Sequence, residues 1–355
     1  MKKLFLTFVV AGLTLTAAAQ KTEKQVATLQ HGNQTSVFYG INAFVSAYNA
    51  AADTLDVITL SGGEFNVPSP ISKSIAIYGA GCENDPITGT QRTYLNGGLY
   101  LKPADGVDDD GLFVKAEKKV NGVHIEGVYV SGYIGADNNN DEPIHNLSIV
   151  KCRTSSGIYF NVDCYDCIIR QSIANSVEGW SSSNPSKAYN LLISNCHLNN
   201  NSSILSNFTT TSTIFVDHCI VRSIHSGASA ARCTNNIIYQ SSLPTGADGA
   251  NNIFITTSGT ATSTTTDGSW YNMRNQGVWA DDNEDGTYAA DKTFELKYPD
   301  RYIGTDGTQI GLHGGVYAWN KTPVIPRITE CTIDTDNVNN GTLKVSIKAE
   351  AQTKE

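Results

Sequence analysis

The chain has 355 residues, a formal net charge of −9, 40% hydrophobic residues and 17% charged residues. That balance excludes a disordered chain and a membrane-embedded one. An acidic chain is a poor partner for nucleic acid, and it repels an acidic polysaccharide unless a cation or a local basic patch intervenes.

Residues 1–19 read as a secretory signal, with Lys2 and Lys3 ahead of an apolar run from Leu4 to Val10 and a small-residue site at Ala17, Ala18 and Ala19. The run is too short for a membrane span, nothing later resembles one, and no Cys follows the expected cleavage site to carry a lipid. Loss of the two lysines with this leader takes the charge from −9 to −11. The expected location is periplasmic, cell-surface or secreted. Residues 20–39 form a lead-in. In residues 40–52, Ile41, Phe44, Val45 and Tyr48 stand at helical spacing, which predicts a short amphipathic helix. A strand over Val57 to Leu60, a turn at Gly62 and Gly63, and a strand over Phe65 to Val67 follow.

From there a six-residue frame recurs, apolar at positions one and three and small at position six. It begins at Ile75, Leu99, Val123, Leu147, Cys167, Leu191, Ile214 and Ile237. The spacing predicts an all-β solenoid of about 23 residues per turn, each strand pairing with its equivalent one turn on at about 4.8 Å. Residues at one frame position then stack in columns. The sixth column holds Cys152, Cys196 and Cys219, which fit reduced interior thiols, although stacked neighbours at that separation also overlap disulfide geometry. Asn- and Gly-rich stretches supply the bends. Residues 255–269, rich in Ser and Thr, read as an extruded loop. After Pro323 and Pro326, Leu343, Val345 and Ile347 alternate with Lys344, Ser346 and Lys348, which predicts a small β appendage over 321–355.

The stretch INAFVSAYNAAADTLDVITLSGGEFNVPSPISKSIAIYGAG resembles the opening of the pectate-lyase-like right-handed parallel β-helix superfamily. Its helix, strand, Gly turn, short strand and closing Gly79-x-Gly81 come in the family's order. DKTFELKYPDRYIGTDGTQIGLHGG, residues 291–315, resembles the segment that closes many bacterial members. The resemblance implies a parallel β-helix over residues 40–320, with the helix as its N-terminal cap. It says little of activity, because the superfamily holds lyases, hydrolases, epimerases, adhesins and proteins without assigned activity.

Enzymes of that superfamily work on an outer groove, lyases with an Arg or Lys base and often Ca²⁺ on acids, hydrolases with two carboxyl groups. Phe215 to Cys219, FVDHC, resembles a Trp-Ile-Asp-His segment of one pectate lyase family, with Phe215 in place of Trp. Position four stacks Glu126, Arg170 and Asp217, and position five Lys151, Asn195 and His218. Arg170, Asp217 and His218 are therefore the candidate catalytic set, and Lys151, Asn195 and Glu126 candidate substrate contacts. The rung pattern alone also accounts for these residues. Asp110, Asp137, Asp141 and Glu142, beside Asp108 and Asp109, are candidate Ca²⁺ ligands on adjacent turns, or a solvated acidic loop. Asp281, Asp282, Glu284 and Asp285 carry the same two readings. Cys164 and Cys167 have C-x-x-C spacing without the second pair a zinc site needs. Trp180, Trp270, Trp279, Trp319 and Tyr271 suit sugar stacking or loop packing.

Position two places Ile168, Leu192, Phe215 and Ile238 in an outward apolar stripe, which calls for a cover: the C-terminal segment, the Ser/Thr-rich loop or a partner subunit. The sequence thus points to an exported protein that binds glycan or takes part in a surface assembly without a convincing catalytic set. The competing reading is a polysaccharide lyase or glycoside hydrolase for an acidic polysaccharide.

Overall fold

Six residues, Ile77, Ile125, Ile149, Ile169, Ile193 and Val216, pair in register from strand to strand, and all are fully buried. They form the spine of an 11-stranded sheet in the computed structural model. The structure describes residues 25–52, 54–86, 89–102, 106–107, 113–114, 120–136, 143–256, 267–320, 327–339 and 342–350. Over these residues the chain is dominated by β-structure, with long parallel sheets and two short helices. Residues 1–19, where a leader is expected, and residues 257–266 of the Ser/Thr-rich stretch lie outside them.

The chain visits its sheets in a fixed order. It runs through His124–Glu126, Tyr129–Val130, Ile134–Ala136 and Ile144–His145. The same sequence of strands returns as Ser148–Val150, Arg153–Thr154, Ile158–Phe160 and Cys164–Tyr165. Each strand pairs in parallel with its counterpart on the next pass. The spacing along the first sheet is 24 residues from Ile125 to Ile149, 20 to Ile169, 24 to Ile193 and 23 to Val216. It then falls to 17 at Cys233 and 16 at Gly249. The third sheet ends at Val177–Gly179 and the fourth at Ala188–Tyr189, so later passes shuttle between the first two sheets alone.

Two of the eight predicted frames belong elsewhere. Leu99–Leu101 pairs with Ile134–Ala136 in the third sheet, and Ile77 pairs directly with Ile125. Ile237–Ile238 pairs with Ile220 and Val221 in the second sheet, while Ala231–Thr234 takes the place beside Ile214–Asp217. Alternation at i and i+2 marks any half-buried strand, so it cannot say which sheet a strand joins.

Two corners explain the polar residues between strands. Gly127, Lys151, Gln171, Asn195, His218, Asn235 and Asn251 each follow a strand of the first sheet, and all have positive φ, between 49° and 70°. Left-handed backbone favours Gly and Asn and admits His more readily than most residues. Before the same strands, Gly122, Asn146, Asp166 and Asn190 repeat the conformation. Asn146 and Asn190 reach back one pass, to Asn121 Oδ1 at 2.7 Å and Asp166 Oδ1 at 2.9 Å.

The sixth column is more than small. The backbone N–H of Cys152 donates to Ser172 Oγ (3.1 Å), that of Cys196 to Cys219 Sγ (3.4 Å) and that of Cys219 to Asn236 Oδ1 (2.8 Å). The ladder continues from Asn236 to Asn252 and from Asn252 to Ser269. Each rung thus satisfies a buried corner amide that strand pairing leaves over. Cys152, Cys196 and Cys219 carry free thiols, as do Cys82, Cys164, Cys167 and Cys233.

The later passes of the second sheet are apolar on both faces. Val221, Ile238 and Phe254 pack into the main core, whereas Ile220, Ile237 and Ile253 pack outward against Trp279, Phe294, Leu296, Tyr302, Ile310 and Leu312 of the C-terminal segment. That segment begins with the short helix Asn275–Val278 and lies over the sheet as a second core.

At the other end, the expected helix forms at Ala43–Ala50 and buries Ala43, Phe44, Ala47 and Tyr48. The lead-in is structured as well: Val26–His31 and Gln34–Tyr39 make an antiparallel hairpin, and the first of these strands pairs with Thr54–Leu60. The appendage is the antiparallel pair Arg327–Asn339 and Thr342–Glu350.

Candidate functional site

The position-four column exists as expected: Glu126, Val150, Arg170, Ser194 and Asp217 are register neighbours. Position five does not face outward as a groove wall. Its residues are the left-handed corner, and the C-terminal segment covers Asn195 and His218. Asn195 Nδ2 donates to the carbonyls of Leu312 (3.0 Å) and Gly314 (2.9 Å). His218 Nδ1 lies 3.2 Å from the Gly311 carbonyl, and Nε2 lies 3.2 Å from Asp306 Oδ2. Gln171 donates to the Ala318 carbonyl, Asn235 to Thr305 Oγ1 and Asn251 to the Ile303 carbonyl. As the corner residues rise in number, their partners fall. Residues 303–318 therefore run back along the corner, bonded at successive passes.

His218, only 1% exposed, is enclosed by this strap. A Cβ at Gly314 would sit 2.5 Å from its Nδ1. Asp217 spends Oδ1 on Thr234 Oγ1 (2.7 Å) and Asn235 Nδ2 (2.9 Å). The Arg170 guanidinium lies 3.9 Å from the ring centre of Tyr317. Asp306 is subject to burial that would raise its pKa, but the Thr308 amide and hydroxyl and then His218 hold it below the ordinary carboxylate value. Lys151 is buried, and burial lowers its ammonium pKa, against the pull of Glu126. Glu126 is buried with an oxygen 3.1 Å from His124 Nε2. The six residues singled out in the sequence thus share a corner and a column: Arg170, Asn195 and His218 meet the strap, whereas Asp217 is bonded to Thr234 and Asn235 and Glu126 to His124.

Asp108, Asp109, Asp110, Asp137, Asp141 and Glu142 lie outside the described residues. Among the described residues no three His, Cys, Asp or Glu side chains gather as metal ligands would. Glu284 and Asp285 share Lys292 at 2.9 and 2.7 Å, and Asp282 meets Lys297 at 3.3 Å, so two lysines pair with three of that loop's acids. The hydrogen bond between Cys164 and Cys167 raises the first thiol pKa and lowers the second, within a buried corner. Trp279 is buried and donates to Tyr239 Oη at 3.0 Å, while Trp180 stays exposed.

A different site opens on the early passes of the second sheet. A cleft of about 400 Å³ is lined by Gly63, Glu64, Asn84, Gln91, Arg92, Tyr94 and Asn96. Glu64, Tyr94, Tyr129 and Arg153 are register neighbours along one outward column. The rings of Tyr94 and Tyr129 stack at 5.2 Å and 13°. Arg92 lies over both, 4.4 Å from the centre of Tyr129 and 5.2 Å from that of Tyr94. Arg153, on the next pass, is held by Glu83 at 2.6 Å, and Glu83 also accepts from the Tyr288 hydroxyl. Arg92 forms no ion pair with a described carboxylate. Its planar fork of N–H donors therefore faces the cleft with its orientation set by two aromatic rings. Gly62 keeps the floor tight, since a Cβ there would run into the Gln91 carbonyl.

The sequence carried a signal for this cleft. Glu64-Phe65, Tyr94-Leu95 and Tyr129-Val130 are outward–inward pairs of one sheet. With Leu99 placed in the first sheet, Tyr94 and Tyr129 do not come out as neighbours. Comparisons with protein-family models, with curated proteins and with solved structures found no match.

Proposed function

We infer that this chain is an exported right-handed parallel β-helix, wound as in the pectate-lyase-like superfamily, that binds glycan without cleaving it. The repeated order of visits to the sheets, with parallel pairing at every step, supports the winding. The observation that carries the binding reading is Arg92, stacked on Tyr94 and Tyr129 in an open polar cleft. The Asn84, Gln91 and Asn96 amides supply paired donors and acceptors for vicinal hydroxyls, and Glu64 accepts further ones. Arg92 adds a charge-assisted site for a carboxylate or sulfate on the sugar, a local basic patch on an acidic protein. Arg170, Asp217 and His218 are taken up by the strap and the rungs.

Affinity electrophoresis against neutral and acidic polysaccharides tests this reading, run beside a screen for new reducing ends and for unsaturated uronates. Retention by at least one glycan without turnover is expected, and Arg92→Ala should weaken it about tenfold, the worth of one charge-assisted hydrogen bond. Turnover lost in Asp217→Ala would instead favour a lyase or hydrolase.

A further inference from the structure

The outward face of the first sheet carries an apolar stripe. Ile168, Leu192 and Phe215 are register neighbours on three consecutive passes, and Phe215 is 37% exposed. Ile238 is not part of it: it faces the main core, and Arg232 is the true neighbour of Phe215. The strap ends beside this stripe. Tyr317 lies on Arg170, which follows Ile168 by two residues on the same strand and so shares its face. Val316, next to it, is 88% exposed.

We propose that the C-terminal hairpin, Arg327–Asn339 with Thr342–Glu350, docks on the Ile168–Leu192–Phe215 stripe. The tether sets the geometry. Residues 321–326 join the strap to the hairpin, and a linker of that length reaches roughly 24 Å at full extension. The stripe spans two pass-to-pass steps, roughly 10 Å, and begins where the strap stops, so the hairpin starts within reach of all three side chains. The hairpin needs a cover. A two-stranded ribbon is marginal alone, and its register sets Cys331 opposite Ile347 and Ile333 opposite Val345, with Glu330 opposite Lys348 and Asp334 opposite Lys344. Directly opposed residues share a face, so the apolar and the charged pairs separate onto two faces. The apolar one matches the stripe, and the charged one is left to face solvent.

Cys331 supplies the probe, because the other seven cysteines are buried. Ile168→Cys, Leu192→Cys and Phe215→Cys are introduced singly into the full chain, oxidised mildly, and mapped by mass spectrometry of the unreduced peptides. An intramolecular disulfide to Cys331 is expected in at least one variant, and Cys331→Ser should abolish it. Using three positions guards against one substitution that fails to fold. The proposal is overturned if no folded variant links to Cys331, or if linkage occurs only between chains, which would give the stripe to a second copy.

Discussion

Asn195 Nδ2 lies 2.9 Å from the carbonyl of Gly314, a contact that joins residues 119 apart in the sequence. The same amide group bonds Leu312, and the residue stands at a left-handed corner where Asn is favoured. One side chain thus serves the bend and the strap together. Asn195→Gly keeps the bend and loses both bonds, so it should cost about 1–3 kcal/mol. Asn195→Ala should cost about 1 kcal/mol more, because its Cβ disfavours the left-handed region. Urea unfolding measures both. Equal stability of the two variants would show that the corner imposes no such demand.

Gly314→Ala attacks the same contact from the other side. The added Cβ meets the Gln309 carbonyl and His218 Nδ1, neither of which is the far end of a flexible chain. A loss of about 1–3 kcal/mol is expected, the usual range for overpacking. Hydrogen exchange should rise along residues 303–318 before it rises in the first sheet. Wild-type exchange in the strap would contradict its placement over His218.

His197 predicts a pH dependence. It is fully buried, its Nε2 donates to the Gly286 carbonyl at 2.9 Å, and its Nδ1 has no partner among the described residues. Burial lowers its pKa from 6.5 to about 3. The unfolded chain therefore binds a proton first as pH falls. The contribution of His197 is complete above about pH 6.5 and is lost on the way down to about pH 3. The slope reaches about 1.4 kcal/mol per pH unit within that window. His197→Phe should flatten this part of the stability profile, and an unchanged slope would show that other groups cause it.

Ile238→Ala separates the sequence reading from the structure. As an outward stripe residue it would cost within about 0.5 kcal/mol, but as a core residue it should cost about 2–5 kcal/mol. Thermal or urea unfolding decides, and the larger value is expected.

That residue also shows how much of the molecule was legible in the sequence. The buried spine from Ile125 to Val216 was readable, because one face of a strand repeats its apolar residues at a near-constant step. The position of Ile238 was not. The Ile237-Ile238 pair is apolar on both faces, and a one-residue shift in register exchanges inside for outside. The N-terminal helix was visible from its spacing. The hairpin before it was not, because Val26–His31 and Gln34–Tyr39 gain their meaning from pairing with Thr54–Leu60. Among the site candidates, Asn195 and His218 were rightly seen as stacked neighbours, but their backbone conformation and the strap above them were hidden. Arg92 escaped notice because the frame beside it was assigned to the wrong sheet.

The most direct measurement of the glycan-binding reading is hydrogen–deuterium exchange with and without a retained glycan. Protection is expected at Gly63–Asn66 and Thr93–Asn96, the strands that line the cleft. Protection confined to Ile168–Arg170 and Ile214–Asp217 would contradict it and return the site to Arg170 and Asp217.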